Sequence, residues 1–180
     1  MKIYILFLFT MLLFSNIAAQ NYEVYDPYVE VVDYEFKLDK KLVKESVKRL
    51  YLQNDKDLYT YKHVDGFVTI GDHDRMSIVV YDEDLNWYQT RIYLYEEMYT
   101  NSKKLKTEYE RILPAVEEAV LKSNSDVPEE EYYLTKIESP KGDWYEILYF
   151  VYVDTVMYNR LIILNDKLEV VSVTDEENIF

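Results

Sequence analysis

Asp143-Trp144-Tyr145-Glu146-Ile147-Leu148-Tyr149-Phe150-Val151-Tyr152-Val153 decides how the second half of the chain is read. Joined to Val156 to Leu164 across Asp154-Thr155, it makes the most strongly β-patterned hairpin in the sequence. Tyr145, Ile147, Tyr149, Val151 and Val153 line one face of its first strand; Trp144, Glu146, Leu148, Phe150 and Tyr152 line the other. A strand apolar on both faces is expected at the centre of a sheet. Each face is then either covered or kept as an aromatic surface for a partner.

The ends and the composition bound the rest. Met1 to Ala19 has the layout of a secretory signal peptide: Lys2, an apolar core from Ile3 to Phe14, and a small-residue exit before Gln20. The core is short for a membrane span, so cleavage and a periplasmic or secreted location are expected, without membrane insertion afterwards. No cysteine is present, which removes disulfides, thiolate metal sites, thiol catalysis and a cysteine-linked lipid anchor. Lys and Arg number 20 against 34 Asp and Glu, a formal charge of −14 that disfavours nucleic acid and anionic membrane surfaces. Twenty tyrosines beside three glycines and four prolines suit half-exposed β-surfaces, where rings pack and hydroxyls stay wet. The same scarcity of glycine leaves no Gly-rich phosphate or cofactor loop, and no cofactor is expected.

Outward from the central hairpin, residues 20–37 are acidic and aromatic, a leader or an edge strand. Residues 38–96 are expected to form a first helix-plus-sheet unit. Its helix spans Leu38 to Gln53 with Asp39 as N-cap, and Lys40, Lys41, Lys44, Lys48 and Arg49 make a basic, solvated side. Strand signals follow up to Tyr95, with turns at Asp65-Gly66, at residues 71–74 and at Asp82-Glu83-Asp84. In the last of these strands Tyr88, Thr90, Ile92 and Leu94 alternate with Trp87, Gln89, Arg91, Tyr93 and Tyr95. The first set reads as core and the second as an accessible aromatic and polar face. Residues 97–107 read as a linker. Residues 108–174 read as a second unit, its helix opening at Leu113-Pro114 and running to Leu121, with strands at 130–138, 144–153, 156–164 and 168–173. A tail at 175–180 is expected to fray. Met76 to Trp87 aligns with Arg160 to Val170, each an apolar strand, an acidic turn, a leucine and a further strand. The reading is therefore α+β: two tandem units, each a helix packed on a curved antiparallel β-sheet, with one cystatin-like helix-on-sheet domain as the alternative.

Four segments together resemble the PepSY-like family of periplasmic or secreted bacterial proteins. They are Val80 to Thr90, Leu113-Pro114-Ala115-Val116, Tyr145 to Val153, and Leu164-Asn165-Asp166-Lys167-Leu168. That family has a fold similar to the beta-lactamase inhibitor protein. The resemblance covers roughly Leu38 to Thr174. It departs from the family at Leu85 and Leu168, where the Asp-x-Asp-Gly turn usually has glycine. It implies tandem units and binding without catalysis, and it carries over no catalytic residue.

Candidate chemistry is sparse. His63, Asp72, His73 and Asp74 offer imidazole and carboxylate ligands suited to an ion site or a small hydrolase, although Asp-His-Asp is also ordinary turn chemistry. The acidic turns Asp82-Glu83-Asp84 and Asn165-Asp166 present calcium-type oxygens without the loop length of a calcium site, and read better as hairpin turns. No nucleophile elbow or zinc helix is present, and no carboxylate pair stands out for glycoside hydrolysis. The aromatic sheet faces remain: Trp87, Arg91, Tyr93 and Tyr95 in the first unit, and Trp144, Phe150 and Tyr152 in the second. These residue types dominate binding hot spots, so the expected activity is non-enzymatic recognition of a protein or peptide in the cell envelope. On that reading Trp87 and Trp144 are solvent-accessible.

Overall fold

The computed structural model describes residues 25, 29–56, 58–72, 75–95, 102–123, 132–153 and 156–177. The signal segment, residues 20–24 and 26–28 of the leader, His73, Asp74 and residues 97–101 of the expected linker lie outside the described residues. Nine strands form one sheet in which every strand pairs antiparallel with its sequence neighbour. They are β1 (Val31–Asp33), β2 (Leu58–His63), β3 (Val68–Asp72), β4 (Ser77–Tyr81), β5 (Trp87–Leu94), β6 (Tyr132–Glu138), β7 (Trp144–Val153), β8 (Val156–Asn165) and β9 (Val170–Glu177). Helix α1 (Lys40–Arg49) is inserted between β1 and β2, and helix α2 (Lys103–Ser123) between β5 and β6.

The two tandem helix-on-sheet units are not what forms. Strands β5 and β6 pair from Thr90↔Glu138 to Leu94↔Leu134, so the sheet runs unbroken through the place where a domain boundary was expected. The core beneath α2 combines Ile92 and Leu94 of β5 with Leu134 of β6, Tyr145, Ile147 and Tyr149 of β7, and Ile162 and Leu164 of β8. Burying that apolar stripe therefore needs strands from both halves. Helix α1 covers Val68, Ile70, Val79 and Tyr81. Val79 pairs with Thr90, which alternates with Ile92 and Leu94, so both helices lie on one face of the sheet.

Helix boundaries shift for local reasons. Asp39 caps α1 as expected, its side chain accepting the Lys41 N–H. The helix stops at Arg49 because the chain reverses in a Schellman turn: Leu52 N–H donates to the Val47 carbonyl at 3.0 Å and Tyr51 N–H to that of Lys48 at 3.3 Å. Helix α2 starts ten residues before Leu113, so residues 103–107 of the expected linker are helical and Pro114 is interior rather than in the first turn. Pro114 is exposed, which leaves the backbone bond it cannot make on the wet side of the helix. Leu105, Ile112, Val116, Ala119 and Val120 supply the buried stripe. The tail does not fray at its start: residues 175–177 extend β9, and Arg160 holds Asp175 with two hydrogen bonds of 2.6 Å.

Three hairpins share one turn geometry, and this explains the leucines in the turn. Residues 63–67, 82–86 and 165–169 each close with an N–H to C=O bond between their end residues, at 2.9, 2.9 and 3.0 Å. In each, the fourth residue donates back to the first and adopts positive φ: Gly66 at 89°, Leu85 at 61° and Leu168 at 66°. Glycine takes that conformation freely, whereas leucine is strained by roughly 1–2 kcal/mol. Both leucines pack against the core beneath the helices, which offsets the strain. Asp82 and Asn165 fix these turns by accepting two backbone N–H groups each, so their side-chain oxygens are already used in hairpin geometry.

Candidate functional site

The face of the sheet away from the helices is where the expected binding residues separate into two groups. A register shift between Val80 and Tyr81 places an extra residue near Tyr88, and that bulge reverses the alternation of β5. Trp87 is thereby turned to the helix side, contrary to the simple alternation. Its indole N–H donates to Thr90 Oγ1 at 3.1 Å, and the Arg49 guanidinium lies 3.6 Å from its ring centroid. Gln89, expected on the accessible face, is fully buried, and neither its amide oxygen nor its amide nitrogen has a hydrogen-bond partner among the described residues. Arg91 and Trp144 both engage Glu146, Arg91 at 2.9 Å and the indole N–H at 3.4 Å. Trp144 retains only 5% of its surface. The expectation that Trp87 and Trp144 are both accessible is overturned: one packs under α1 and the other is buried beside Glu146. They do meet at a small cavity of about 90 Å³, lined also by Tyr88, Gln89 and Pro140.

The remaining four residues stay together on the open face. Tyr93 and Tyr95 are half-buried with ring centroids 5.3 Å apart, and Tyr93 lies 5.9 Å from Tyr133. Tyr133 pairs with Leu148, whose same-face neighbours along β7 are Phe150 and Tyr152. Tyr133, Phe150 and Tyr152 are 44%, 41% and 73% exposed, whereas Tyr145, Ile147, Tyr149 and Val151 on the reverse of the same strands are buried under α2. Burial, followed by its neighbours Tyr133 and Tyr95, pushes the Tyr93 phenol above its ordinary value. Tyr133 was missed because the sequence suggested nothing about β6 beyond its being a strand. The cross-strand register brings it in.

Of the alternative site only His63 and Asp72 are described, and these two do not converge; His73 and Asp74 lie outside the described residues. His63 faces the open side, where Thr69 Oγ1 and the Val29 carbonyl each lie 2.9 Å from one of its ring nitrogens. Asp72 pairs with Leu58 and Ser77 on the helix side and lies 3.6 Å from Arg75. The two side chains project from opposite faces of the sheet. Among the described residues no group of three or more His, Asp and Glu side chains is placed to hold a metal ion. No helix among them is long and apolar enough to cross a membrane.

On the helix side, two polar features lie between α1 and α2. One is a network around Lys136, a buried lysine on β6 that lies 3.0 Å from Glu138, 3.5 Å from Asp143 and 3.7 Å from Glu108 of α2. The Tyr145 hydroxyl also donates to Glu108, and Arg111 donates to that hydroxyl at 2.6 Å. Burial pushes the Glu108 carboxyl up, but hydrogen bonds from Tyr145 and Arg111 and the charge of Lys136 outweigh it and hold the group below its ordinary value. The other is a groove of about 970 Å³ bordered by Lys41, Lys44, Glu45 and Lys48 of α1 and by Tyr51, Lys104 and Glu138. The lysine stripe was legible as a solvated helix side; the wall opposite it was not. In comparisons with known proteins, the chain matches no family model, no curated protein and no solved structure.

Proposed function

We propose that the chain is a non-enzymatic binding module that takes a protein or peptide on the open face of β5 to β8, centred on Tyr133, Phe150 and Tyr152. The observation that carries this reading is the contrast between the two sides of β7. One side is closed by α2, while the other presents adjacent large aromatic side chains to solvent. Exposed aromatics gathered in one patch mark interaction surfaces more often than scattered ones do, and tyrosine is a frequent binding anchor. The Met1 to Ala19 pattern supports an exported setting, periplasmic or secreted. The PepSY-like resemblance, which rests on short motifs, agrees with binding but is not needed for it. The ion-binding or hydrolase alternative loses support because His63 and Asp72 lie on opposite faces.

The test is selection of a random peptide library on the wild-type protein, followed by affinity measurement on variants. Peptides held by this face should weaken about 30-fold or more in Phe150→Ala/Tyr152→Ala, the size of a hot-spot loss of about 2 kcal/mol. They should be indifferent to Lys106→Ala, on the exposed side of α2. Selected peptides that bind both variants alike would place recognition elsewhere and refute the proposal.

A further inference from the structure

A second surface, on the opposite side of the sheet and independent of the aromatic face, carries its own chemistry. We infer that the groove between α1 and α2 receives a short acidic segment of a protein partner. Lys41, Lys44 and Lys48 stand at i, i+3 and i+7 on α1, hence on one side, spaced by about 4.5 and 6 Å along the axis. All three are exposed, and none makes an ion pair among the described residues. Two exposed lysines of α2, Lys106 and Lys122, by contrast lie within ion-pair distance of Glu110 and Glu118 one turn away. Among the described residues the three α1 ammonium groups thus have no carboxylate within ion-pair distance, in a chain whose formal charge is −14.

The facing wall is built rather than incidental. Lys104 of α2 donates to the Tyr51 hydroxyl at 2.8 Å and lies 4.7 Å from its ring centroid, and that hydroxyl donates to Glu138 at 3.1 Å. Tyr51 occupies the residue after the α1 C-cap with φ of 56°, a position that glycine fills without strain. Keeping tyrosine there strains the backbone. Its side chain holds Lys104, which lines the same groove as Lys41, Lys44 and Lys48. Arg49 is committed to Glu45 and stacked on Trp87, so the available cations are lysines, point charges without the two-pronged geometry of guanidinium.

The surroundings select for length. The positive patch is local, and screening confines its reach to about 8–10 Å at moderate salt. A long polyanion such as nucleic acid would run off the patch into the negative field of the rest of the molecule. A few consecutive Asp or Glu residues would not, and the groove of about 970 Å³ has room for several side chains.

The experiment is fluorescence anisotropy of a labelled hexaglutamate peptide titrated with the full protein at low salt. A 12-nucleotide single strand and inorganic phosphate serve as competing probes. The peptide should bind, weaken at least tenfold on raising salt from 20 to 150 mM, and weaken at least tenfold in Lys44→Glu/Lys48→Glu. Lys106→Glu and Phe150→Ala/Tyr152→Ala should leave its binding unchanged, which keeps this result separate from the aromatic face. Circular dichroism of the charge-reversal variant should match wild type, as both positions are exposed. Absence of peptide binding at 20 mM salt would overturn the inference. So would equal binding by the charge-reversal variant, or tighter binding of the oligonucleotide or of phosphate.

Discussion

Replacing Lys136 by methionine tests how the sheet holds α2. The ammonium is buried within 3.0, 3.5 and 3.7 Å of three carboxylates, one of them on the helix. Methionine keeps most of the apolar stem, so packing is nearly conserved and the electrostatic change dominates. Breaking a buried ion pair by removing one partner costs about 3–5 kcal/mol. Here Asp143 is exposed and Glu108 and Glu138 are half-buried, each with some access to water. Glu108 also keeps Arg111 and Tyr145 as partners. A discounted loss of about 2–4 kcal/mol at pH 7 follows. At roughly 2–4 °C per kcal/mol for a chain of this size, the midpoint should fall by about 5–15 °C. The pH dependence has a definite sign. Glu108, held below its ordinary value, contributes stability that is present above that value and lost as pH falls through its folded value. Without Lys136 the folded carboxylates hold protons more readily. The deficit of the variant should therefore shrink as pH drops from 7 toward 4.5. Urea unfolding followed by tryptophan fluorescence at both pH values measures it. A loss below about 1 kcal/mol at pH 7, or a deficit constant with pH, would refute this account of the network.

Two further perturbations follow. Leu85→Gly relieves about 1–2 kcal/mol of positive-φ strain, gains unfolded-state entropy of about 0.5–1, and loses a partly buried leucine worth about 1–2. The net change should lie between a gain of about 0.5 and a loss of about 2 kcal/mol, and a gain of about 1 kcal/mol or more would mean that the side chain contributes nothing to the core beneath α1. Alkaline titration should show late phenols, since burial first, and then their neighbours, push Tyr59 and Tyr132 up to about 12. Folded values above the unfolded one make stability complete below pH 10 and lost progressively between about 10 and 12. Phenolate absorbance that rises completely near pH 10 with the fold intact would contradict that burial.

What the sequence revealed was local. Two-faced apolarity in β7, the Asp39 cap and the acidic hairpins are set by residues within a few positions of one another, and they appear where expected. Pairing of β5 with β6 joins residues as far apart as Thr90 and Glu138, with α2 between them, and no short-range pattern records it. The polar start of α2 concealed the helix because Leu105 and Ile112 are the only fully buried residues before Pro114. The fate of Trp87 turned on a single inserted residue, since one bulge moves every side chain beyond it to the other face. Leu85, Leu168 and Tyr51 break local backbone preference and are repaid by tertiary contacts. The aromatic surface was half legible. Phe150 and Tyr152 follow from alternation along one strand, while Tyr133 joins only through its register with Leu148.

The extent of the open aromatic face depends on the β5–β6 ladder, because Tyr93 lies on one side of that junction and Tyr133, Phe150 and Tyr152 on the other. Residue-resolved amide hydrogen exchange tests it directly. Amides of residues 90–94 and 134–138 should be protected and should exchange together with those of β7 and β8, as members of one cooperative sheet. Fast exchange along both strands, or two halves opening independently with β5 and β6 as free edges, would contradict the continuous sheet and dissolve the surface proposed on it.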